Sequence, residues 1–548
     1  MAGLPGPSGA GAHIRGYKAT LLGLGALTAL LAGCAQQKAE PAPPPPRIAQ
    51  CEGLTGLALA DGKVEAATSV AAGKIVTPDE GKIGLPAPAA FCRVQARLTP
   101  TPSSSIRVEV WLPEAGAWNG KLLGAGNGGF GSNMQVPSLV MRGGVAKGYA
   151  AVGSDMGHVG KSDVDASWAP GQPEKVRDYG WRANHLAAAT AKRVIAAYYP
   201  APLDASYFHG CSDGGREALM EAQRFPDDYD AILAGAPAIP WARLATAMAM
   251  NDRAVFGNPD SALPNAKLPL LQKAALARCD ARDGVTDGVI DDPRSCDFDP
   301  GVLTCKAGDQ PDCLTPAQVA AVRALYRGPV DGRGKSFYPG YLPGMEATQG
   351  AWDLWLTGPG AQHGKFSTEF FRHFVHGDPN WTTKDFRLDS DFAKAQAMQG
   401  EINADDPNLK PFFAKGGKLI LYHGYGDAAI PPQNTIDYYQ RVLKTSGTRA
   451  AGSVRLFMMP GVSHCLAGPG PNVFDGVGAL DEWHRGGPAP DRLTATKFDN
   501  DYLGFLGLPA KTVRTRPLCA YPQVARWTGG GSTDDAANFT CTDPSTQP

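Results

Sequence analysis

The chain has 548 residues, a hydrophobic content of 43% and a formal net charge of −1 at pH 7. Its length and apolar content allow a large buried core, whereas a near-neutral chain without a basic run lacks the electrostatic pattern of a nucleic-acid-binding protein. The 67 glycines and 47 prolines indicate many loops and short elements rather than long helices.

Residues 1–33 have the pattern of an export signal. Arg15 and Lys18 precede an apolar run over residues 21–31, which is too short for a stable membrane-spanning helix. The run ends in Leu-Ala-Gly-Cys34, which resembles the lipobox of bacterial lipoproteins and implies that Cys34 is lipidated. The alternative is an ordinary secretory signal with an incidental cysteine. Both interpretations predict export, either with a lipid anchor in the outer membrane, facing the periplasm or the exterior, or without an anchor as a periplasmic or secreted protein.

Export makes the remaining cysteines informative. A stiff, proline-rich tether over residues 34–50 leads to ten further cysteines, and an even count in an oxidising compartment predicts five disulfides. Short spacing favours the local pairs Cys279–Cys296 and Cys305–Cys313, but spacing alone does not decide the pairing. The ten cysteines are Cys51, Cys92, Cys211, Cys279, Cys296, Cys305, Cys313, Cys465, Cys519 and Cys541.

The exported chain alternates between predicted strands and helices, which is typical of an α/β fold. The predicted strands cover residues 107–112, 121–124, 149–153, 207–208, 229–237, 417–423 and 454–459, and the predicted helices cover residues 183–199 and 216–224. The alternation stops between residues 241 and 415. We therefore predict a catalytic domain over 51–240 and 416–548, interrupted by an inserted lid domain over 241–415.

A nucleophile motif joins a predicted strand to a predicted helix. Gly210-Cys-Ser-Asp-Gly214 satisfies G-x-S-x-G, the nucleophile elbow of α/β-hydrolases. The glycines are needed because the serine backbone is strained and a side chain at either flank would clash. A plain glycine-rich turn is the alternative, but the strand before and the helix after it favour Ser212 as a nucleophile. The predicted fold class is an α/β-hydrolase fold with a large inserted lid domain.

A serine nucleophile needs a histidine base and a carboxylate that fixes the histidine tautomer. In α/β-hydrolases the acid and then the histidine follow the serine, each at the end of a core strand. Asp427 and His464 occupy these places, whereas Asp437 lies a helix later and His484 lies in a polar, helix-like stretch. His423 precedes Asp427 at its strand end, and we predict a structural or substrate-contacting role for it.

The glycine-rich stretch over residues 125–131 is a candidate oxyanion loop. In hydrolases the loop after this strand supplies one oxyanion donor, so Gly128 or Gly129 is the candidate, and Gly129 is preferred. The N–H of Asp213, directly after the nucleophile, is the other predicted donor. The alternative is a merely flexible loop. The glycine spacing is not that of a dinucleotide fingerprint, and no organic cofactor is expected.

Two cysteines flank the predicted nucleophile and base. If Ser212 and His464 are hydrogen-bonded, Cys211 and Cys465 approach closely enough to form a disulfide that ties the base to the nucleophile.

Three segments with this Cys-Ser, Asp and His-Cys pattern, residues 210–216, 422–427 and 460–465, resemble the tannase and feruloyl esterase family. Within that family they resemble the bacterial mono(2-hydroxyethyl) terephthalate hydrolases, and the resemblance covers essentially the whole exported chain. It implies an exported serine carboxylic ester hydrolase that acts on a small aromatic acid ester. It also implies the disulfide pairs Cys51–Cys92, Cys211–Cys465, Cys279–Cys296, Cys305–Cys313 and Cys519–Cys541.

An aspartate-rich loop in the predicted lid suggests a metal site. Asp280, Asp283 and Asp287 offer oxygen ligands on a tightly turning backbone, which suits Ca²⁺, although the spacing is not that of an EF-hand. From these residues alone, Asx turns held only by hydrogen bonds are an equal alternative. The family resemblance implies a structural Ca²⁺ here, with the carbonyls of Val285 and Val289 as further ligands.

Substrate contacts are implied only by the resemblance. A lid tryptophan and a lid phenylalanine sandwich the aromatic acid in the terephthalate hydrolases, and Trp355 and Phe366 occupy the matching places. Packing within the lid core is the alternative. The arginine that binds the free carboxylate in those enzymes has no clear equivalent in this chain, and Lys365 and His363 are the candidates to replace it. The phenylalanine that follows the catalytic aspartate in those enzymes is Ile430 here. These departures favour a feruloyl or galloyl ester over a terephthalate monoester.

Two other functions compete with this interpretation. One is a non-catalytic, calcium-stabilised surface lipoprotein that binds glycans or aromatic compounds, and the intact order of Ser, Asp and His argues against it. The other is a peptidase on the same fold, which turnover of an ester against an anilide would distinguish.

Overall fold

The computed structural model describes residues 45–79 and 82–544. The predicted export signal, Cys34 and most of the predicted tether lie outside these residues. None of the helices in the two described ranges combines the length and the apolar content that a bilayer crossing requires.

Strands and helices alternate along much of the described chain. The strands are β1 Ala58–Leu59, β2 Gly62–Val70, β3 Ile75–Val76, β4 Leu85–Pro86, β5 Phe91–Leu98, β6 Ile106–Pro113, β7 Lys121–Ala125, β8 Ala150–Ser154, β9 Ala205–Cys211, β10 Ala231–Gly235, β11 Lys418–Gly424, β12 Val454–Met459, β13 Arg492–Phe498, β14 Thr512–Cys519, β15 Val524–Trp527 and β16 Phe539–Thr542. The α-helices are α1 Gln135–Ala146, α2 Pro173–Arg177, α3 Ala183–Tyr198, α4 Asp213–Arg224, α5 Trp241–Phe256, α6 Leu268–Cys279, α7 Pro316–Arg327, α8 Trp352–Trp355, α9 Gln362–Glu369, α10 Leu388–Gln396, α11 Gln399–Ile402, α12 Lys410–Ala414, α13 Gln433–Ser446, α14 Thr448–Ala451, α15 Gly476–His484 and α16 Asp501–Phe505. Most of the predicted elements are present with ends within a few residues of those expected.

Ten strands form one mixed sheet in the order β1–β2–β5–β6–β8–β7–β9–β10–β11–β12. Antiparallel pairing runs from β1 to β8, and every pair from β8 to β12 is parallel. Strands β8 and β10 are buried at every residue, as expected where helices cover both faces of a parallel sheet. Parallel strands present their carboxyl ends at one edge, so the loops after β7, β9, β11 and β12 meet there.

The predicted insertion over residues 241–415 lies between β10 and β11 and is mainly helical, from α5 to α12. It packs directly against the sheet-bearing part of the molecule. Trp241 on α5 and Phe366 on α9 both contact Phe130, which lies in the loop after β7. Aromatic side chains of the insertion and of the sheet region therefore share one apolar core.

Candidate active site

The predicted nucleophile lies at the turn between β9 and α4. Ser212 has φ 65° and ψ −121°, a positive-φ conformation that costs a non-glycine residue about 1–3 kcal/mol. A Cβ on Gly210 would lie 2.3 Å from the carbonyl oxygen of Gly214, and a Cβ on Gly214 would lie 2.7 Å from the carbonyl oxygen of Asn127. Only glycine fits at either flank, as the elbow motif requires.

Ser212, His464 and Asp427 form a continuous hydrogen-bonded chain. His464 Nε2 lies 2.8 Å from Ser212 Oγ, and His464 Nδ1 lies 2.7 Å from Asp427 Oδ2. The three residues follow β9, β12 and β11, so they meet at the carboxyl edge of the parallel strands. The alternatives Asp437 and His484 lie on α13 and α15. This is the arrangement in which a histidine takes the proton of an attacking serine.

Asp427 is buried and held by four hydrogen bonds. Its Oδ1 accepts the backbone N–H groups of Ala429 at 2.8 Å and Ile430 at 2.9 Å, and its Oδ2 contacts His464 and His423. Burial alone would raise the pKa of Asp427. The charge of His464 and the hydrogen bonds from both histidines outweigh burial and hold that pKa below its usual range. The ionised carboxylate is the form that orients His464 and stabilises its protonated ring.

His423 is fully buried, and both of its ring nitrogens are used within the protein. Its Nε2–H donates to Asp427 Oδ2 and to the carbonyl of Ile430, each at 3.0 Å, and its Nδ1 accepts from Thr435 Oγ1 at 2.8 Å. A side chain with no exposed atom cannot contact a substrate. Of the two roles predicted for His423, the structure therefore favours the structural one, because His423 is a second partner of the acid.

The two predicted oxyanion donors lie at the start of α4 and in the loop after β7. Asp213 is the first residue of α4, so its N–H has no partner within the helix. Gly128 N donates to Asn127 Oδ1 at 2.9 Å, whereas Gly129 N makes no hydrogen bond with any residue that the structure describes. Gly129 has φ 58°, and a Cβ there would lie 2.2 Å from the carbonyl oxygen of Asp163. The geometry therefore favours Gly129 over Gly128 as the oxyanion donor in this loop.

A salt bridge fixes the first turn of α4. Arg216 Nε lies 2.5 Å from Asp213 Oδ1, and Tyr179 Oη donates to the same oxygen at 2.9 Å. Both charged side chains are buried, and the guanidinium lies 4.7 Å from the centre of the Tyr179 ring. Burial alone would lower the pKa of Arg216, but the charge of Asp213 outweighs it and keeps that pKa raised. The pair thus holds the residue that carries one predicted oxyanion donor.

All five implied disulfides are present, which confirms their pairing. They are Cys51–Cys92, Cys211–Cys465, Cys279–Cys296, Cys305–Cys313 and Cys519–Cys541. The Cys211–Cys465 bond joins the residue before the nucleophile to the residue after the histidine, with a Cα–Cα distance of 6.0 Å. Five disulfides belong to a protein that folds in an oxidising compartment, so the chain is exported.

Trp355 and Phe366 lie together beside His464. Their rings are nearly parallel, with planes at 14° and centres 6.0 Å apart, and the Trp355 ring meets His464 edge-on at 5.3 Å. A third ring between two aromatic planes needs about 3.5 Å on each side, so these two rings must separate before a substrate ring fits between them. Phe366 is buried against Phe130, whereas Trp355 is partly exposed, so Trp355 is the ring with room to move.

Neither substitute for the carboxylate-binding arginine supplies a positive charge at the catalytic residues. His363 is buried, with Nε2 3.1 Å from Tyr341 Oη, and burial lowers its pKa to about 4. The ring is therefore neutral at pH 7 and offers no positive charge to a carboxylate, so it does not replace the arginine as a cation. Lys365 lines a surface cavity of about 900 Å³ whose lining includes neither Ser212 nor Trp355.

Four of the five predicted calcium ligands line a small cavity together with a further carboxylate, Asp291. Asp291 Oδ2 is buried without a hydrogen-bond partner among the described residues, and Arg526 lies 3.5 Å from it. Asp287 Oδ2 is paired with Arg514 at 2.8 Å and with Arg516 at 2.6 Å. No group of three or more His, Cys, Asp or Glu side chains in the described part of the chain is arranged to hold a metal ion. The oxygen donors fit Ca²⁺ in kind, but binding would require Asp287 to give up its arginine partners.

Sequence reasoning missed the buried polar side chains beneath the nucleophile, which are Tyr179, Arg216 and Glu217. One signal was available, because Asp213, Glu217 and Glu221 recur at four-residue spacing and so share one helix face. An acidic helix face is usually solvated, and the sequence does not show that this one is buried.

The sheet, the elbow and the Ser–His–Asp chain define an α/β-hydrolase, which confirms the predicted fold. The family model described as tannase and feruloyl esterase matches residues 92–542. The chain is 39% identical over 538 residues to an uncharacterized esterase from Xanthomonas campestris pv. campestris, covering 90% of this chain and 91% of that protein. It is 33% identical over 490 residues to mono(2-hydroxyethyl) terephthalate hydrolase from Piscinibacter sakaiensis, covering 78% of this chain and 80% of that enzyme.

The fold also superposes on a crystal structure of feruloyl esterase B from Aspergillus oryzae with a TM-score of 0.79. The two chains are 28% identical, and the match covers 89% of this chain and 98% of that one. The protein therefore belongs to the tannase and feruloyl esterase family and is a carboxylic ester hydrolase.

Proposed function

We propose that this protein hydrolyses esters of aromatic acids through an acyl-enzyme on Ser212. The observation that carries the proposal is the hydrogen-bonded chain of Ser212, His464 and Asp427, with the Trp355 ring in contact with His464. Family membership supports ester hydrolysis, and the Trp355 and Phe366 rings beside His464 support an aromatic acyl group.

The reaction follows from the geometry. Ser212 Oγ attacks the ester carbonyl while His464 Nε2, 2.8 Å away, takes its proton. The N–H groups of Gly129 and Asp213 hold the oxyanion, and ionised Asp427 stabilises the protonated histidine. His464 then returns the proton to the leaving alcohol. A water molecule activated by the same histidine hydrolyses the acyl-enzyme.

The residues near the expected position of the acyl group favour a feruloyl or galloyl ester over a terephthalate monoester. A free carboxylate calls for a cation, but His363 is neutral and Lys365 lines a different cavity. A phenolic ring needs only an aromatic surface and neutral hydrogen-bonding partners. Two relatives carry the names of a terephthalate monoester hydrolase and a feruloyl esterase, so both substrate classes belong in the test.

The test compares methyl ferulate, methyl gallate and mono(2-hydroxyethyl) terephthalate with an aliphatic control, methyl butyrate. We expect the two phenolic esters to have the highest kcat/KM. Trp355→Ala should raise KM for aromatic esters about tenfold and leave methyl butyrate unaffected. Leu354→Ala, an exposed neighbour on the same short helix, is the matched control. Preference for methyl butyrate, or an equal loss on all esters, would contradict an aromatic acyl site.

We also propose that the aspartate-rich loop binds a structural Ca²⁺ through Asp280, Asp283 and Asp287 and the carbonyls of Val285 and Val289. The family resemblance supports this proposal. The cavity supports it as well, because it is lined by Asp291, whose Oδ2 makes no hydrogen bond with any described residue and lies 3.5 Å from Arg526. The role would be stabilising, because attack by a serine nucleophile requires no metal.

Finally, we propose that Cys34 carries a lipid anchor, which the lipobox-like sequence and the proline-rich tether support. Mass spectrometry of the mature N-terminus tests it. Diacylglyceryl-modified Cys34 is expected, and a mature chain that begins elsewhere would contradict the anchor.

A further inference from the structure

Helix α4 carries three buried carboxyl groups on one face, Asp213, Glu217 and Glu221, each about 1% exposed. Their surroundings differ. Asp213 is paired with Arg216, and neither carboxyl oxygen of Glu221 has a hydrogen-bond partner among the described residues. Glu217 reaches out of the helix, because its Oε2 accepts the backbone N–H of Asn127 at 3.0 Å.

Asn127 connects α4 to the predicted oxyanion loop. Its carbonyl oxygen accepts the N–H of Gly214 at 3.0 Å, so α4 binds both backbone groups of Asn127. Its side-chain Oδ1 accepts from Gly128 N at 2.9 Å, and its Nδ2 donates to the carbonyls of Asn133 and Ser154. Every polar group of Asn127 is thus used, and the next N–H that remains for a ligand is that of Gly129.

We propose that Glu217 is a positioning residue for the oxyanion loop: it binds the N–H of Asn127 and so fixes Gly129 relative to Asp213 on the same helix. The inference rests on the oxyanion assignment in the proposed function, and it does not depend on which ester is the substrate. A fixed spacing between two donors matters because oxyanion stabilisation comes from donors already in place before the charge develops.

The charge on Glu217 also affects this site. The titratable groups that face it are Asp213, Arg216 and Glu221 on α4, with the Tyr179 and Tyr229 rings beyond. Burial, and then the negative charge of Asp213, raise the pKa of Glu217 to about 8. The raised pKa favours the protonated side chain, which is a neutral acceptor for Asn127. Its ionisation would add a negative charge beside the place where the oxyanion forms, so kcat should fall as pH rises past about 8.

The test uses hydrolysis of p-nitrophenyl acetate, so that its outcome is independent of the proposed aromatic specificity. Glu217→Leu removes the acceptor and should lower kcat about 10²-fold with little change in KM, as for loss of one oxyanion donor. Glu217→Gln keeps a neutral acceptor in the same shape, so it should restore kcat to within about threefold of the wild type. It should also remove the fall in kcat above pH 8.

Glu221→Leu and Glu221→Gln are the matched controls, because Glu221 lies one turn further on the same buried face. They should change the melting temperature but not kcat per mole of folded protein. Three outcomes would overturn the proposal: normal kcat in Glu217→Leu, equal losses in Glu217→Gln and Glu217→Leu, or equal losses at Glu217 and Glu221. Failure of the proposed function is distinguishable, because it would appear as activity retained by Ser212→Ala or as poor turnover of aromatic esters.

Discussion

The candidate site joins two parts of the molecule that are held in different ways. On the sheet side, Ser212, Asp427 and His464 stand at strand ends and are connected by short hydrogen bonds and a disulfide. On the insertion side, Trp355 and Phe366 are held by contacts between rings. The first arrangement is held by directional and covalent bonds, and the second leaves the partly exposed Trp355 ring room to move. Changes on the sheet side should therefore affect kcat, and changes in the insertion should affect KM or stability.

The largest effect is expected for Ser212→Ala, which removes the attacking oxygen. By analogy with other serine hydrolases kcat should fall about 10⁶-fold, with an unchanged melting curve. Ser463→Ala is the control, because this buried serine adjoins His464 and its Oγ has no hydrogen-bond partner among the described residues. Near-normal turnover by Ser212→Ala would assign the nucleophile to another residue.

Asp427→Asn should lower kcat about 10⁴-fold, since an amide permits the wrong histidine tautomer. The exposed Asp437 on α13 offers the comparison, and Asp437→Asn should change kcat less than twofold. If Asp437→Asn were the damaging change, the acid would be assigned wrongly. Steady-state kinetics on both purified variants decide between them.

The Cys211–Cys465 bond should contribute to catalysis as well as to stability. A disulfide stabilises a fold by about 2–4 kcal/mol, but a misplacement of reacting groups by about 1 Å can cost about a hundredfold in rate. We expect Cys211→Ala/Cys465→Ala to lose about 10²-fold in kcat per mole of folded enzyme, measured below the melting range. Cys305→Ala/Cys313→Ala, which removes a bond within the insertion, should keep its kcat. Equal kcat in the two double variants would mean that the active-site bond only stabilises the fold.

The smallest effect on chemistry is expected for removal of the Ca²⁺ that we propose for the aspartate-rich loop. Chelation should lower the melting temperature and leave kcat unchanged at temperatures where the protein stays folded. A metal that binds only the native state adds about 2.7 kcal/mol at a hundredfold excess over Kd.

Asp283→Ala and Asp287→Ala should abolish the calcium-dependent shift in melting temperature. Asp297→Ala, an exposed carboxylate paired with Arg278, should retain it. A melting temperature insensitive to chelator, with no metal by elemental analysis, would rule out the site.

The difference between residues at strand ends and residues held by packing also explains what the sequence could predict. Ser212, Asp427 and His464 were found because an elbow and two strand ends are local patterns that determine where side chains meet. The ten-strand order and the antiparallel half of the sheet were not predicted, because they depend on pairing between distant segments. For a related reason the sequence leaves the roles of His423 and His363 open, since it does not show that residues distant in the chain bury both side chains.

Glu217 is the clearest example of a residue whose role the sequence alone does not reveal. Its spacing from Asp213 was visible, but its function depends on Asn127, which lies 90 residues away in the chain. A helix face of charged residues predicts exposure to solvent, unless the segment that packs over that face is known. The packing of Phe366 against Phe130 is likewise a contact between distant segments, which no local pattern encodes.

The bond between Cys211 and Cys465 has a consequence for an exported enzyme. The two cysteines are 254 residues apart, and the whole insertion over residues 241–415 lies between them. The insertion is therefore enclosed in a covalent ring. A protease that cuts one of its exposed loops opens the ring but releases no fragment, because the disulfide still joins the strand that bears the serine to the loop that bears the histidine. Damage to the segment proposed to contact the substrate thus leaves the two reacting groups on one molecule until a reductant separates them.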